Sequence, residues 1–134
     1  MQIGGQDRPF EVGTNQGEIF CTLPNRRDAE GRAMTLADYY ALFTDVGRLI
    51  GGPLRDFVYS ALLAGYEAHQ MRVDFTAGDV GRWIDAPETP AGEVAKPLQT
   101  MLAQLQAKAE AEEGRAKNGL APKLKKAAGL KRAH

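Results

Sequence analysis

Apolar residues recur at helical spacing along most of this chain, and the sharpest instance is Pro53–Asp85. Leu54, Phe57, Val58, Ala61, Leu62 and Gly65 fall at i, i+3, i+4, i+7, i+8 and i+11, one face of an α-helix. Gly52 serves as the expected N-cap, and Pro53 suits the first helical position, where its missing N–H would have no partner anyway. A shorter helix follows. Thr76 caps it, and Asp79 reaches back to the cap's backbone N–H as an Asp version of the capping box. Val80, Trp83 and Ile84 then share one side, and the only tryptophan is expected against the long helix. These two helices predict a core of Leu54, Phe57, Val58, Leu62, Val80, Trp83 and Ile84 on which the rest docks.

The flanking chain reads less uniformly. Met1–Val12 predicts a β-hairpin, with a strand at Gln2-Ile3, a turn over Gly4–Asp7 and a return over Arg8–Val12. Pro9 puts the return at an edge, and a lone hairpin must lie on helices to persist. Thr14–Leu23 fits two periods: Ile19, Cys21 and Leu23 alternate like a strand, while Ile19, Phe20 and Leu23 fit a helical face. The pair Asn15 and Glu18, with Pro24 as a stop, tips the reading to a short helix. Pro24–Met34 is a charged loop. Thr35 and Asp38 then open a helix with Leu36, Tyr39, Tyr40, Phe43 and Val46 on one face and Gly47 at its end. Val73 and Phe75 predict extended chain beside the hairpin.

After the breaker Asp85–Pro90, Val94, Leu98, Met101, Leu102 and Leu105 mark another amphipathic helix, with Pro97 predicting a kink or a later start. The apolar stripe stops beyond Ala107, and a solvated helix is expected to run to about Gly114, followed by a loose end. The fold expected is α+β and predominantly helical, a small bundle with an N-terminal hairpin. Residues 1–107 form the domain and 108–134 a solvated helix end and basic, flexible tail.

Formal net charge is zero, yet it is unevenly spread. Residues 1–114 carry 17 acidic against 10 basic side chains, net −7, whereas 115–134 carry 7 basic and no acidic ones. An acidic body bears a basic end. Cys21 is the single cysteine, which rules out an internal disulfide and is compatible with a reducing compartment. The first ten residues lack the pattern of a signal peptide, and no apolar run approaches the roughly 20 residues of a membrane span. A soluble cytoplasmic protein is expected.

Signals of catalysis are poor. His69 and His134 have no second His or Cys at metal-ligand spacing, and His69 falls where it would face the C-terminal dipole of the long helix. Cys21 has no basic or His neighbour to activate it and reads as a small buried hydrophobe. Asp74–Asp85 has the length of a calcium loop but carries Asp79 where that loop needs Gly and Asp85 where it needs Glu. Gly4-Gly5 and Gly51-Gly52 lack the phosphate-loop pattern. A helix-turn-helix reading would present Asp79, Arg82 and Asp85 to DNA, an acidic set that phosphate repels. No catalytic residue, metal site or cofactor is therefore expected, and the chain reads as a non-enzyme.

Interaction is the remaining chemistry. Lys123, Lys125, Lys126, Lys131 and Arg132 form a basic arm, and Leu120, Leu124 and Leu130 are interleaved with them. That pattern suits a protein groove better than plain phosphate contact, so nucleic acid is not the favoured partner. Tyr59 and Tyr66, seven residues apart on the long helix, predict a second apolar face for self-association into a homo-oligomer.

The motifs also carry a likeness. Ile3, Gly5, Pro9, Phe10 and Val12, then Leu54, Arg55, Tyr59, Ala61, Leu62, Ala64 and Gly65, lead into the run Asp74, Phe75, Thr76, Asp79, Val80, Gly81, Trp83, Ile84 and Asp85. This arrangement resembles the small tail assembly chaperones of long-tailed phages and gene transfer agents, over roughly residues 1–105. The resemblance implies a mostly helical, non-catalytic factor that coats the tape measure protein, keeps it soluble and brings tail tube subunits to it. Two other expectations stand beside it: a small nucleic-acid-binding regulator acting through residues 115–134, and a minor tail structural protein that stays in the particle.

Overall fold

Helical periodicity becomes helix over most of the computed structural model, which describes residues 1–127, with side chains through Arg115 apart from that of Val46. In chain order, β1 (Gln2–Ile3) and β2 (Gln6–Asp7) precede α1 (Thr14–Thr22), a 3₁₀ turn (Pro24–Arg26), α2 (Leu36–Ala41), a second 3₁₀ turn (Leu42–Thr44) and α3 (Val46–Leu49). Then come α4 (Gly52–Ala68), α5 (Ala77–Asp85) and α6 (Ala91–Ala127). The chain divides into two compact units, 1–99 and 100–134. α6 continues to Ala127, past the stop expected near Gly114, and it begins at Ala91 with Pro97 inside it. The Pro97 ring is fully buried.

α4 is central because its sequence offers two apolar faces. Phe57 looks to one side, where Phe20, Tyr39, Phe43 and Phe57 stack in a chain of rings with centroids 4.9–5.2 Å apart. Each such pair adds about 0.5–1.5 kcal/mol beyond burial of its area. Val58, Leu62 and Tyr66 look to the other side and pack with Met1, Ile3, Phe75, Val80 and Val94. Leu54, Trp83 and Ile84 lie partly buried against that second cluster, so all seven predicted core residues are in the core or on its edge. The N-cap of α4 is Gly51 rather than Gly52, with no side-chain cap.

α5 starts as its sequence predicts. Thr76 Oγ1 accepts from Asp79 N at 3.1 Å and Asp79 Oδ2 accepts from Thr76 N at 2.9 Å, a complete capping box. Trp83 packs against the cluster that holds Val58, Leu62 and Tyr66 of α4. Its ring is covered by the hairpin: a Cβ on Gly4 would lie 2.5 Å from the indole, and the Arg8 guanidinium sits 4.3 Å from the ring centroid.

The hairpin is shorter than its sequence suggested. Gln2 pairs with Asp7 and Ile3 with Gln6, leaving Gly4-Gly5 as a two-residue turn with both φ positive, +62° and +80°. That geometry matches the right-handed strand twist, and it is why glycines occupy both places. Arg8–Val12 is consequently not a strand. It lies along α4, where Glu11 N donates to Ala61 O and Gly65 leaves room for the Pro9–Phe10 backbone.

Three further corrections follow from local competition. α1 begins at Gly13 with no side-chain cap, so Asn15 sits inside the helix instead of capping it. The helix predicted from Thr35 to Gly47 is split: Asp45 adopts an extended conformation (φ −139°, ψ 99°), its carboxylate accepts from Gly47 N, and α3 starts afresh. Val73 and Phe75 form no strand; Phe75 turns into the core and Val73 stays exposed.

Candidate functional site

An open apolar surface follows α1. α2 packs beside α1. A groove of about 310 Å³ remains, floored by Gly17, Cys21, Met34, Leu36 and Tyr40 with Glu18 at its edge. Leu36 is 55% exposed and Tyr40 41%, high values for side chains that share a helical face with buried Tyr39. Burial pushes the Cys21 thiol above its ordinary pKa, which holds it as neutral SH. A second hollow of about 260 Å³ shares Glu18 and Thr22 and adds Ile19 and Glu67. Among the described residues, no Lys or Arg lines either hollow, and neither Glu18 nor Glu67 joins an ion pair.

Charge elsewhere is used internally. Asp56, buried at the start of α4, accepts from Asn25 Nδ2 and Arg26 Nε, both at 2.7 Å, and from Arg55 Nε at 3.0 Å. Arg8 is 5% exposed; it donates to Ile3 O, Tyr66 Oη and Asp74 Oδ1 and stacks on Phe75 and Trp83. Hydrogen bonds from the Thr76 backbone and from Arg82 hold the Asp79 carboxyl below its ordinary pKa. Bonds from Lys96 and the Gln2 backbone do the same for Glu93. His69 caps the C-terminus of α4 as its position predicts, with Nδ1 2.9 Å from Gly65 O.

The residues predicted for interaction fare unevenly. Tyr66 is 1% exposed and receives the Arg8 bond, and Tyr59 packs edge-on to Phe75 with centroids 6.0 Å apart. The two tyrosines therefore belong to the core side of α4 and form no shared outer face; periodicity revealed the face but not that the hairpin and Phe75 cover it. The side chains of Lys123, Leu124, Lys125 and Lys126, and all of Lys131 and Arg132, lie outside the described residues.

Comparison with family models, curated proteins and solved structures gives no match for this chain. Among the described residues no group of three or more His, Cys, Asp or Glu side chains is placed to hold a metal ion, and no helix is long and apolar enough to cross a membrane.

Buried polar residues escaped the sequence reading, Ser60 among them. Arg8, Gln16 and Asp56 are all buried. Gln16 stands four residues before Phe20 and Asp56 four before Ser60, so each sits on a face that turns inward. A polar residue on such a face is the available signal, and it takes the helix phase of α1 and α4 together to see it.

Proposed function

We propose that this chain is a non-enzymatic assembly chaperone for a phage-type tail, acting in the bacterial cytoplasm on the tape measure protein and recruiting tail tube subunits to it. The observation that carries this reading is the open apolar groove along α1, which offers Met34, Leu36 and Tyr40 to a partner helix. The likeness of Asp74–Asp85 and of the Leu54–Gly65 helix to tail assembly chaperones supports it, and those residues build α4, α5 and the core between them.

The physical case is one of masking. A tape measure exposes long apolar stripes until the tube encloses it, and such stripes aggregate. A small body with one apolar groove covers a short length of stripe. Many weak copies along one rod then hold by effective concentration. The acidic body keeps coated rods apart.

Co-expression with the tape measure protein of the same genome tests the reading. The tape measure is expected in the soluble fraction, bound to this chain, and a Tyr40→Asp chain is expected to release it. Equal precipitation with and without this chain overturns the proposal.

A further inference from the structure

Residues 71–76 link α4 to the cap of α5 without helix, turn or bend. Met71 N donates to Tyr66 O at one end, and Thr76 O accepts from Val80 N at the other. Between them, the backbone N–H and C=O groups of residues 72–74 bond to none of the described residues, and Arg72, Val73 and Asp74 are all exposed. This drawn-out stretch leaves its backbone polar groups open to pairing with another chain. Its side chains alternate in the manner of a strand, Met71, Val73 and Phe75 against Arg72 and Asp74. Phe75 is used by the core, whereas Met71 is 44% exposed and Val73 39%. Met71 also lines an open hollow with Pro9 and Phe10, so the apolar surface continues past the stretch.

The charges say what pairs with it. Arg72 joins no ion pair among the described residues. Asp74 accepts from Arg8 through Oδ1, and its side chain stays 65% exposed, which leaves Oδ2 open. An antiparallel copy centred on Val73 sets Arg72 opposite Asp74 of the second copy, and Asp74 opposite its Arg72. Both cross-strand pairs are then of opposite charge, whereas a parallel copy in register would oppose like charges.

We infer that residues 71–75 are a strand-pairing site for a second copy of this chain, joined antiparallel about Val73 with Arg72 and Asp74 exchanging ion pairs across the two-fold axis. Each copy offers the same patch, so the contact closes at two chains and does not propagate. The paired stretch is short, which makes the dimer weak and reversible. The inference concerns copies of this chain alone and does not rest on the tail-assembly reading; failure in co-expression leaves it standing.

Sedimentation equilibrium of the full chain across rising concentration, at low and high salt, tests it. A reversible dimer that weakens with salt is expected. Val73→Pro removes the central N–H from the pairing edge and should abolish the dimer. Arg72→Glu sets carboxylate against carboxylate at both pairs and should weaken it about tenfold, and so should Asp74→Lys, which sets cation against cation. Mixing these two chains should restore association, because each mixed pair is again of opposite charge. Circular dichroism checks that each is folded; Arg72 and Val73 are exposed, so their variants carry the test if Asp74→Lys unfolds on losing the Arg8 bond. Val73→Cys should cross-link to its own copy under oxidised glutathione. Met71→Cys should not, since the antiparallel register offsets the two copies of residue 71 by about 13 Å along the strands. A monomer at all concentrations overturns the inference, whether or not another protein occupies the stretch. So does a dimer indifferent to Val73→Pro and Arg72→Glu, one that cross-links through residue 71 and not 73, or mixing of the two folded charge variants that restores nothing.

Discussion

The guanidinium of Arg8 lies 4.3 Å from the centroid of the Trp83 ring while its Nη1 donates to Tyr66 Oη at 2.8 Å. One side chain thereby ties the hairpin to α5 and to α4. A hairpin of two residue pairs is not stable alone, so this tie decides whether the N-terminus is part of the fold. Arg8→Ala removes the stacking and leaves Ile3 O and Tyr66 Oη without their donor. A loss of about 2–3 kcal/mol is expected in urea unfolding followed by Trp83 emission. Arg8→Lys keeps the charge but not the planar fork, and should lose roughly half as much.

Gly65 sets the approach of the Pro9–Phe10 segment to α4. A Cβ there would lie 2.5 Å from Phe10 Cα and 2.6 Å from Phe10 N. Alanine gains about 1 kcal/mol of helix propensity over glycine. The obstacle is backbone rather than a flexible side chain, so the clash wins, and Gly65→Ala should lose about 2 kcal/mol or more. Gly92→Ala is the matched control: in α6 nothing lies within 4 Å of its Cβ, and it should be neutral or stabilising.

Tyr39 carries a pH signature. Burial raises its phenol pKa above the ordinary value of 10.0, opposed in part by the bond to Gln16. Below that value both folded and unfolded chains keep the proton. Above it the unfolded chain releases the proton and the folded chain does not, so stability falls as pH rises. Thermal unfolding should therefore drop steeply beyond pH 10 in the parent chain and less in Tyr39→Phe. At neutral pH the same variant should lose about 1–3 kcal/mol, because Gln16 Oε1 is left buried without its donor.

Asp56 is the one buried carboxylate among the described residues, 1% exposed between two arginines. Breaking a fully buried pair costs about 3–5 kcal/mol. Here Arg26 and Arg55 retain some access to water, and Asp56→Ala should cost about 2–3 kcal/mol in denaturant unfolding. Asp56→Asn keeps the shape and one acceptor and should fall between that variant and the parent.

How much of this was legible depends on whether a signal was local. The Thr76–Asp79 box and the Leu54–Gly65 stripe are complete within a few residues, and both elements formed where the sequence placed them. Asp45 shows the opposite case. It lies inside an apolar stripe that continues to Val46, and only its turn geometry reveals that the helix stops and restarts. The exposure of Leu36 and Tyr40 was illegible for a related reason, since their spacing with Tyr39 marks a helical face without saying what covers it. Tyr59 and Tyr66 were misassigned because the chain that covers them is distant in sequence: Phe75 beyond the helix end and Arg8 near the N-terminus. The two-residue hairpin turn was readable in principle, since adjacent glycines favour that geometry.

Gln16 has a consequence for how α1 is held. Apolar contacts are non-directional and specify helix alignment less sharply than paired donors and acceptors do. The thread from Tyr39 Oη to Gln16 Oε1, from Gln16 Nε2 to Ser60 Oγ and from Ser60 to Phe57 O has donors and acceptors matched in a single alignment. Gln16→Leu should leave helix content intact while broadening the methyl resonances of α1, as the helix samples neighbouring positions. A polar thread no wider than three side chains thus acts as a ratchet pawl, letting the greasy interface close in one notch only.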